Sequence, residues 1–418
     1  MATTTKSIQV GDSKICDLNA MYSRVIALFS SDRDVDVKDV LAYELAPIPT
    51  AMFTEDGMRI CKAKSTLKKS LQVEVSRRNA HDADVTVIDG SALLWIIHWQ
   101  ADGTVADFIE NVKTRLTSYL SDSDVYLIFD RMEERRSRCD LENQQEEADT
   151  IIVQQVLGCA GEAYQISVVS DDTDVFVLLL HHYHQAGLDV PLIMESPSKE
   201  RAIVDIKSTL AKHSQIVKNL LPAHAISGCD TVASYYGLGK GCVIKVLKAG
   251  YELSAIGNVD APFQQVLNQA TAFISACYGI KESTDMSHTR LLVWGKKNGK
   301  GHMSAPNLAA LPLTTEAFIE NVKRAHFQAI LWRNVNVNLP SALNPEEFGW
   351  KKYTCNRSLS PTNLPEDAKF VPDYILEMIR CGCKSETPCN KKCNCKVHGL
   401  PCTMFCACFR VGCSRSKY

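Results

Sequence analysis

The chain has 418 residues, a hydrophobic fraction of 45% and a formal net charge of −2. This length suffices for two domains with their own cores, and the hydrophobic fraction is typical of a globular protein. The near-neutral charge excludes a protein that binds nucleic acid through a uniformly basic surface, so any such contact must come from local basic patches.

The chain begins MATTTKSIQV, without the basic and then apolar segments of a signal peptide. Its longest apolar run, Val175 to Leu180, is far shorter than the roughly 20 residues of a membrane-spanning helix. We therefore expect a soluble intracellular protein with reduced thiols. Residues 1–80 are predicted to form a mostly helical N-terminal segment that ends in a basic stretch over residues 62–78.

Residues 81–335 alternate strand-like and helix-like patterns, which predicts an α/β domain with a parallel sheet. Three apolar segments in this region, 85–88, 125–129 and 166–170, are each followed by aspartate: Asp89, Asp130, and then Asp171, Asp172 and Asp174. Because the C-terminal ends of parallel strands open onto one crevice, we expect these carboxylates to lie close together. The alternative for any one of them is a helix N-cap.

An acidic helix start, Glu146-Glu147-Ala148-Asp149, follows the second of these segments. Two pairs can face the crevice. Glu147 and Asp149 do so if Glu147 lies just before the first turn, whereas Glu146 and Asp149 do so as neighbours three residues apart.

A further acidic segment, Ser227 to Thr231 with Asp230, precedes the glycine-rich segment Gly237-Leu238-Gly239-Lys240-Gly241. A glycine-rich start to an apolar helix presents backbone N–H groups and suits a phosphate. We therefore predict that Gly237, Gly239, Lys240 and Gly241 contact a nucleic-acid backbone. The spacing is not that of a Walker loop.

The order of these motifs resembles the PIN-like fold of the flap-endonuclease (XPG) superfamily, over about residues 84 to 250. The matching segments are Val-Ile-Asp89-Gly, Ile-Phe-Asp130-Arg, Glu147-Ala148-Asp149, Asp172-Thr173-Asp174, and Gly228-Cys229-Asp230 with the turn at 237–241. The resemblance implies a helix–turn–helix extension and a nuclease site built from seven carboxylates: Asp89, Asp130, Glu147, Asp149, Asp172, Asp174 and Asp230.

The implied chemistry is hydrolysis of phosphodiesters with two Mg²⁺ or Mn²⁺ ions, which prefer oxygen ligands. Asp89, Glu147, Asp149 and Asp172 are expected to be the inner ligands. Asp130, Asp174 and Asp230 are then outer or second-metal ligands, and Lys240 with the amides of 237–241 holds the duplex backbone.

Two features depart from the family pattern. Only 16 residues separate Asp130 from Glu147, too few for the helical arch that threads a single-stranded flap, although Arg131, Arg135 and Arg136 predict a short basic segment that binds nucleic acid. The second departure is Asp149, where the family has glutamate. The first departure argues against specificity for flaps and favours the alternative that the fold binds DNA without cleaving it. The second shortens a ligand by one methylene, which changes where a metal ion would lie.

Residues 336–378 contain five prolines and are predicted to be a wrapping linker. The last 38 residues then hold nine of the 17 cysteines, too dense for a core: Cys381, Cys383, Cys389, Cys393, Cys395, Cys402, Cys406, Cys408 and Cys413. Reduced surroundings and the odd number favour zinc over disulfides. Nine thiolates suffice for about three tetrahedral zinc ions when three of them bridge, and His398 is an alternative ligand.

The cysteine spacing resembles the tesmin/TSO1-like CXC domain, whose members form three-zinc clusters and often bind DNA. Residues 381–418 carry seven Lys and Arg, among them Lys391 and Lys392, against Glu386 alone, which suits contacts with phosphates. A protein-binding zinc module is the alternative. The whole chain also resembles transposon-derived animal proteins that join the two modules.

The sequence therefore predicts an α/β protein with a PIN-like nuclease domain and a zinc module over 379–418 that targets it to DNA in the nucleus. The alternative is a non-catalytic DNA- or chromatin-binding protein derived from a transposon nuclease.

Overall fold

A computed structural model describes residues 8–10, 13–15, 36–46, 48–54, 58–60, 64–76, 83–120, 123–129, 147–198, 200–298, 307–336, 343–352, 359–365, 368–369, 372 and 383. Over these residues the fold is α/β, with a mostly parallel six-stranded sheet and eleven α-helices. The predicted fold class is confirmed at this level. The PIN-like and zinc-folded assignments stay predictions.

Ten strands lie in the described residues: β1 (Ile8–Val10), β2 (Ser13–Ile15), β3 (Glu74–Val75), β4 (Val85–Asp89), β5 (Asp124–Ile128), β6 (Ile166–Val169), β7 (Leu192–Glu195), β8 (Ile203–Asp205), β9 (Trp350–Lys352) and β10 (Leu359–Pro361). The main sheet has the order β3-β8-β7-β6-β4-β5. β5, β4, β6 and β7 are parallel, whereas β8 and β3 extend the sheet antiparallel. The remaining strands form two antiparallel pairs, β1 with β2 and β9 with β10.

The helices surround this sheet. They are α1 (Val37–Leu41), α2 (Ser65–Leu71), α3 (Gly90–Ile96), α4 (Val105–Leu120), α5 (Ala148–Cys159), α6 (Thr173–Gln185), α7 (Ile206–Ile226), α8 (Lys240–Lys248), α9 (Phe263–Cys277), α10 (Met286–Asn298) and α11 (Thr315–Arg333). Two 3₁₀ helices span Leu308–Ala310 and Pro345–Phe348. None of the described helices combines the length and the apolar character needed to cross a membrane.

β4 is the central strand of the site, and every one of its residues is buried. Val85 and Val87 join the main hydrophobic core on one face of the sheet, while Ile88 packs with Leu93 and Val169 on the other. A strand covered on both faces is expected to be largely apolar, as this one is apart from Thr86 and its last residue, Asp89.

The direction of chain crossover changes at β4. The chain passes from β4 to β5 on one side and then returns to β6 on the other side of β4. In open parallel sheets, ligands bind in the crevice outside the carboxyl ends of the strands at such a point. The three strands predicted from their terminal aspartates are therefore neighbours around one crevice.

Part of the predicted N-terminal segment, residues 1–80, packs against the main sheet. β3 pairs with β8 in the main sheet, and Leu67 and Leu71 of α2 are buried in the main core. The described part of residues 1–80 contains three short strands beside its two helices. Residues 64–76 therefore belong to the same folded unit as the sheet.

The predicted linker over 336–378 is likewise partly ordered against the domain. The guanidinium of Arg324 in α11 donates hydrogen bonds to the carbonyl of Gly349, at 3.2 Å, and to that of Thr362. Gly349 has a φ of +78°, and an added Cβ would lie 2.7 Å from the carbonyl oxygen of Glu320, so only glycine fits there without a shift. The segment wraps the domain through these contacts.

We expect Leu67→Ala to lower the free energy of unfolding by about 2–5 kcal/mol, because a fully buried leucine lies in the main core. Lys69→Ala, on the exposed side of the same helix, serves as the control and should have little effect. Urea unfolding of the full chain measures both. Equal stabilities would mean that α2 does not belong to the cooperative unit.

Candidate metal centre

Six of the seven predicted carboxylates line one cavity of about 210 Å³ at the carboxyl ends of β4 and β6. The six are Asp89, Glu147, Asp149, Asp172, Asp174 and Asp230. Ser91, Ala148, Thr231, Gln328 and Trp332 complete the lining. The seventh predicted residue, Asp130, lies outside the described residues. The structure thus brings together every predicted carboxylate that it describes.

Asp89 combines two structural duties with its place in the cavity. One carboxylate oxygen, Oδ1, accepts a hydrogen bond from the backbone N–H of Ala92 at 3.0 Å and so caps α3. The other, Oδ2, accepts from the hydroxyl of Ser170 at 2.9 Å. Asp89 therefore caps a helix and also lines the cavity with the other carboxylates, because α3 begins directly at the end of β4.

The three aspartates between residues 171 and 174, after β6, lie in two different environments. Asp172 caps α6 by accepting from the N–H of Asp174 at 2.7 Å, and both side chains line the cavity. Asp171 instead bonds to the Ser196 hydroxyl at 2.7 Å and to Arg201 at 2.8 Å. The turn into the helix therefore directs two of the three aspartates toward the cavity.

At the start of α5, Glu147 and Asp149 both face the crevice, whereas Glu146 of the alternative pair lies outside the described residues. Glu147 is the N-cap residue, with extended backbone, and Asp149 lies in the first turn. Both line the cavity, as expected when Glu147 sits just before the helix. Gln328 of α11 donates a hydrogen bond to Glu147 Oε2 at 3.4 Å.

Three of the carboxylates form a group suited to a metal ion. One oxygen each from Asp149, Asp172 and Asp174 lies within 4.8 Å of the other two. In octahedral Mg²⁺ coordination at about 2.1 Å, neighbouring ligand oxygens are about 3 Å apart and opposite ones about 4 Å. A small contraction of the group would therefore accommodate such an ion. Asp174, expected to be an outer ligand, belongs to this innermost group.

Trp332 of α11 supplies a second feature of the cavity wall. Its side chain is 2% exposed, and its indole Nε1 is buried without a hydrogen-bond partner among the described residues. A buried donor without an acceptor is costly, so an oxygen-bearing ligand or water is expected beside it.

Lys64, just before α2, lies among the carboxylates and was not predicted. Its Nζ is 2.8 Å from Asp172 Oδ1, 2.8 Å from Asp230 Oδ2 and 3.4 Å from Asp174 Oδ2. Burial opposes its charge, but attraction by Asp174 and Asp172 raises the pKa of Lys64 above its usual value. The sequence showed a basic stretch here, yet nothing local distinguished this lysine from its neighbours.

One lysine does not neutralise the group. Burial raises the pKa of Asp149 well above its usual range, and the charges of Asp172 and Asp174 raise it further. Burial and Asp174 also raise the pKa of Asp172, against the opposing attraction of Lys64. A carboxyl with a raised folded-state pKa favours folding at acid pH, and this contribution is lost as pH rises from about 4 through the folded-state value. At neutral pH a bound cation would offset this cost.

The side chain of Lys240 does not lie where a phosphate could contact it, contrary to the prediction. Its side chain is buried, 6% exposed, and its Nζ bonds inside the protein to His224, Ser227 and Gly228. The backbone at Gly237, Gly239 and Gly241 is exposed at the start of α8, as a nucleic-acid contact requires. The error arose because a lysine at a helix start can point inward as well as outward.

Two further groups of predicted residues lie outside the described part of the chain. They are the nucleic-acid contacts Arg131, Arg135, Arg136, Lys391 and Lys392, and the predicted zinc ligands of the tail other than Cys383. Their assigned roles stay predictions.

No protein-family model matches the chain, and no curated protein matches it significantly.

We expect Lys64→Met to increase the affinity for Mn²⁺, by roughly 10-fold if it removes about 1.4 kcal/mol of competition, because the ammonium then no longer contacts the carboxylates. The metal-free variant should also melt at a lower temperature, since its carboxylates repel one another. Isothermal titration with Mn²⁺ and thermal unfolding measure the two effects.

Lys69→Met is the matched control for this variant, because Lys69 lies on the exposed side of the same helix. An unchanged or lower Mn²⁺ affinity of Lys64→Met would show that this lysine does not occupy the position of the cation.

Proposed function

We propose that the protein is a metal-dependent nuclease-like protein that hydrolyses phosphodiesters of DNA. The observation that carries this proposal is the convergence of six carboxylates on one cavity at the crossover point of a parallel sheet. Carboxylate oxygens are the ligands that Mg²⁺ and Mn²⁺ prefer, and phosphodiester hydrolysis is a principal use of clustered divalent ions. The motif order that resembles the flap-endonuclease superfamily supports the same reaction.

Asp149, Asp172 and Asp174 are the proposed inner ligands, and Asp89, Glu147 and Asp230 line the rest of the cavity. When bound, the divalent ions would activate water and stabilise the leaving oxygen of the phosphodiester. Gln328 orients Glu147, and the Ser170 hydroxyl together with the α3 cap fixes Asp89. Lys64 would release the carboxylates as the metal enters and then remain beside the reacting phosphate.

The tail over 379–418 is proposed to be a CXC-type module with about three zinc ions, carried by nine cysteines in a regular order. Its excess of Lys and Arg over a single Glu favours contacts with DNA phosphates. A nuclear location is part of the same proposal.

The alternative is DNA binding without cleavage. It is favoured by the 16-residue separation of Asp130 and Glu147, which leaves no room for a strand-threading arch. It is also favoured by Asp149, which is one methylene shorter than the glutamate of the family it resembles. A cleavage assay in Mg²⁺ or Mn²⁺ on single-stranded, duplex and flap DNA distinguishes the two.

We expect Asp172→Asn to lower DNA cleavage by at least about 100-fold and to abolish the rise in melting temperature on adding Mg²⁺. The substitution preserves shape but removes the charge of a residue in the innermost carboxylate group. Cleavage rates with Mg²⁺ and in EDTA, beside thermal unfolding, provide the measurement.

Asp171→Asn is a matched control for that experiment, since it makes the same change one residue earlier on a side chain that pairs with Ser196 and Arg201 instead. It should cleave DNA nearly as well as the wild type. Equal losses in both variants would point to a general charge effect, and no cleavage by the wild type on any substrate would favour the binding alternative.

Removal of residues 379–418 is expected to release about three zinc ions per chain, to weaken DNA binding on all sequences and to flatten its salt dependence. Replacing Lys391 and Lys392 by alanine should keep the zinc while lowering the salt slope by about 2. Metal analysis and DNA titrations at several salt concentrations test both. Unchanged DNA binding after truncation would assign the tail to a protein partner.

A further inference from the structure

A buried chain of hydrogen bonds leads from the carboxylate cavity into the interior. Asp174 Oδ1 lies 2.7 Å from His224 Nε2, and His224 Nδ1 lies 2.9 Å from Lys240 Nζ. The exposed fractions of the three side chains are 2%, 0% and 6%. α6, α7 and α8 each supply one of these residues, so the chain links three helices.

The donors and acceptors of this chain can be arranged in one consistent way. The imidazole of His224 lies between two groups of opposite charge, with Nδ1 facing the Lys240 ammonium and Nε2 facing a carboxylate oxygen of Asp174. Lys240 is a donor only, so Nδ1 must accept from it, and the single imidazole proton must lie on Nε2. His224 therefore donates from Nε2 to the Asp174 carboxylate.

The Lys240 ammonium, at the inner end of this series of hydrogen bonds, also bonds to other buried acceptors. Besides Nδ1, three oxygens surround the Lys240 ammonium, so its three N–H donors are shared among four acceptors. These oxygens are the carbonyl of His224 at 3.1 Å, the hydroxyl of Ser227 at 2.8 Å and the carbonyl of Gly228 at 2.5 Å. Gly228 has a φ of +111°, and an added Cβ would lie 2.2 Å from the Ser234 hydroxyl oxygen. The left-handed glycine thus allows its carbonyl to reach a buried ammonium.

This arrangement leaves the two oxygens of Asp174 with different roles. Oδ1 is committed to His224, while Oδ2 lies 3.4 Å from Lys64 Nζ, the cation in the cavity. A hydrogen bond to one oxygen of a carboxylate limits rotation of the group. It also keeps the other oxygen toward the cation, as outer-shell partners do at metal sites.

We propose that His224 and Lys240 are positioning residues that orient Asp174 to present Oδ2 to a divalent ion. The proposal deepens the proposed function and rests on it, because the ion is that of the nuclease-like site. Lys240 acts through His224, because its position fixes the imidazole tautomer. Burial lowers the pKa of Lys240 to about 8, so it remains charged at neutral pH.

The test compares two replacements of His224 in the full-length protein. His224→Gln keeps an N–H donor for Asp174 and an oxygen acceptor for Lys240. His224→Phe keeps a ring against Trp332, whose ring lies parallel to the imidazole within 10° at 5.8 Å, but loses both hydrogen bonds. Lys240→Met removes the far end of the chain with little change in shape. Asp172→Asn, which disables the innermost carboxylate group, sets the background.

Mn²⁺ is the probe, titrated calorimetrically and by the loss of the free-ion electron paramagnetic resonance signal. We expect His224→Phe and Lys240→Met to raise the Kd for Mn²⁺ by about 10–100-fold, the range for outer-shell partners, and His224→Gln to stay near the wild type. Near-UV circular dichroism establishes that each variant is folded. If Lys240→Met does not fold, the comparison of Gln with Phe decides.

Equal Mn²⁺ affinity of His224→Phe and the wild type would overturn the assignment and leave the proposed function intact. An equal loss in the Gln and Phe variants would also overturn it, since a purely packing role for the imidazole explains that result. Failure of the wild type to bind Mn²⁺ above the Asp172→Asn background would overturn the proposed function itself, and the assignment with it.

Discussion

Carboxylates crowd together at the ends of β4 and β6, and the arrangement of the residues around them follows from their mutual repulsion. Six of them share a cavity of about 210 Å³, where like charges repel, most strongly at the side chains that are withdrawn from water, such as Asp174. The protein offsets part of this repulsion with two lysines in different settings. Lys64 reaches the carboxylates directly, whereas Lys240 is buried behind His224. A site partly compensated in this way retains affinity for a further cation.

This compensation explains why distant parts of the chain fold together. Lys64 meets Asp172 across 108 residues of sequence, and Gln328 meets Glu147 across 181. α2 can deliver Lys64 only because Leu67 and Leu71 anchor it in the main core. α11 contributes Gln328 and Trp332 to the cavity and holds the segment after it through Arg324. The cavity is therefore a product of the whole described domain.

Features of the site that arise from local sequence were predictable, whereas features that arise from distant partners were not. The strand ends were predictable because an apolar run that stops at aspartate marks the end of a buried parallel strand, and parallel neighbours share an edge. The different environments of Asp171 and Asp172 were not predictable, since they depend on the turn into α6 and on Ser196 and Arg201 from a later loop. The inward direction of Lys240 was missed for a similar reason, as its acceptors come from the end of α7 and the loop after it.

Local hydrophobic pattern and helix-start chemistry were enough to predict the α/β class, the three strands that precede aspartates and the acidic start of α5. Tertiary packing, by contrast, selects which carboxylates form the innermost group, which lysine lies among them and which lysine is buried. These outcomes depend on side chains that are far apart in the chain but within about 3–5 Å in space. Hydrogen-bond partners at such a distance leave no periodic signal in the sequence, whereas strands and helix starts do.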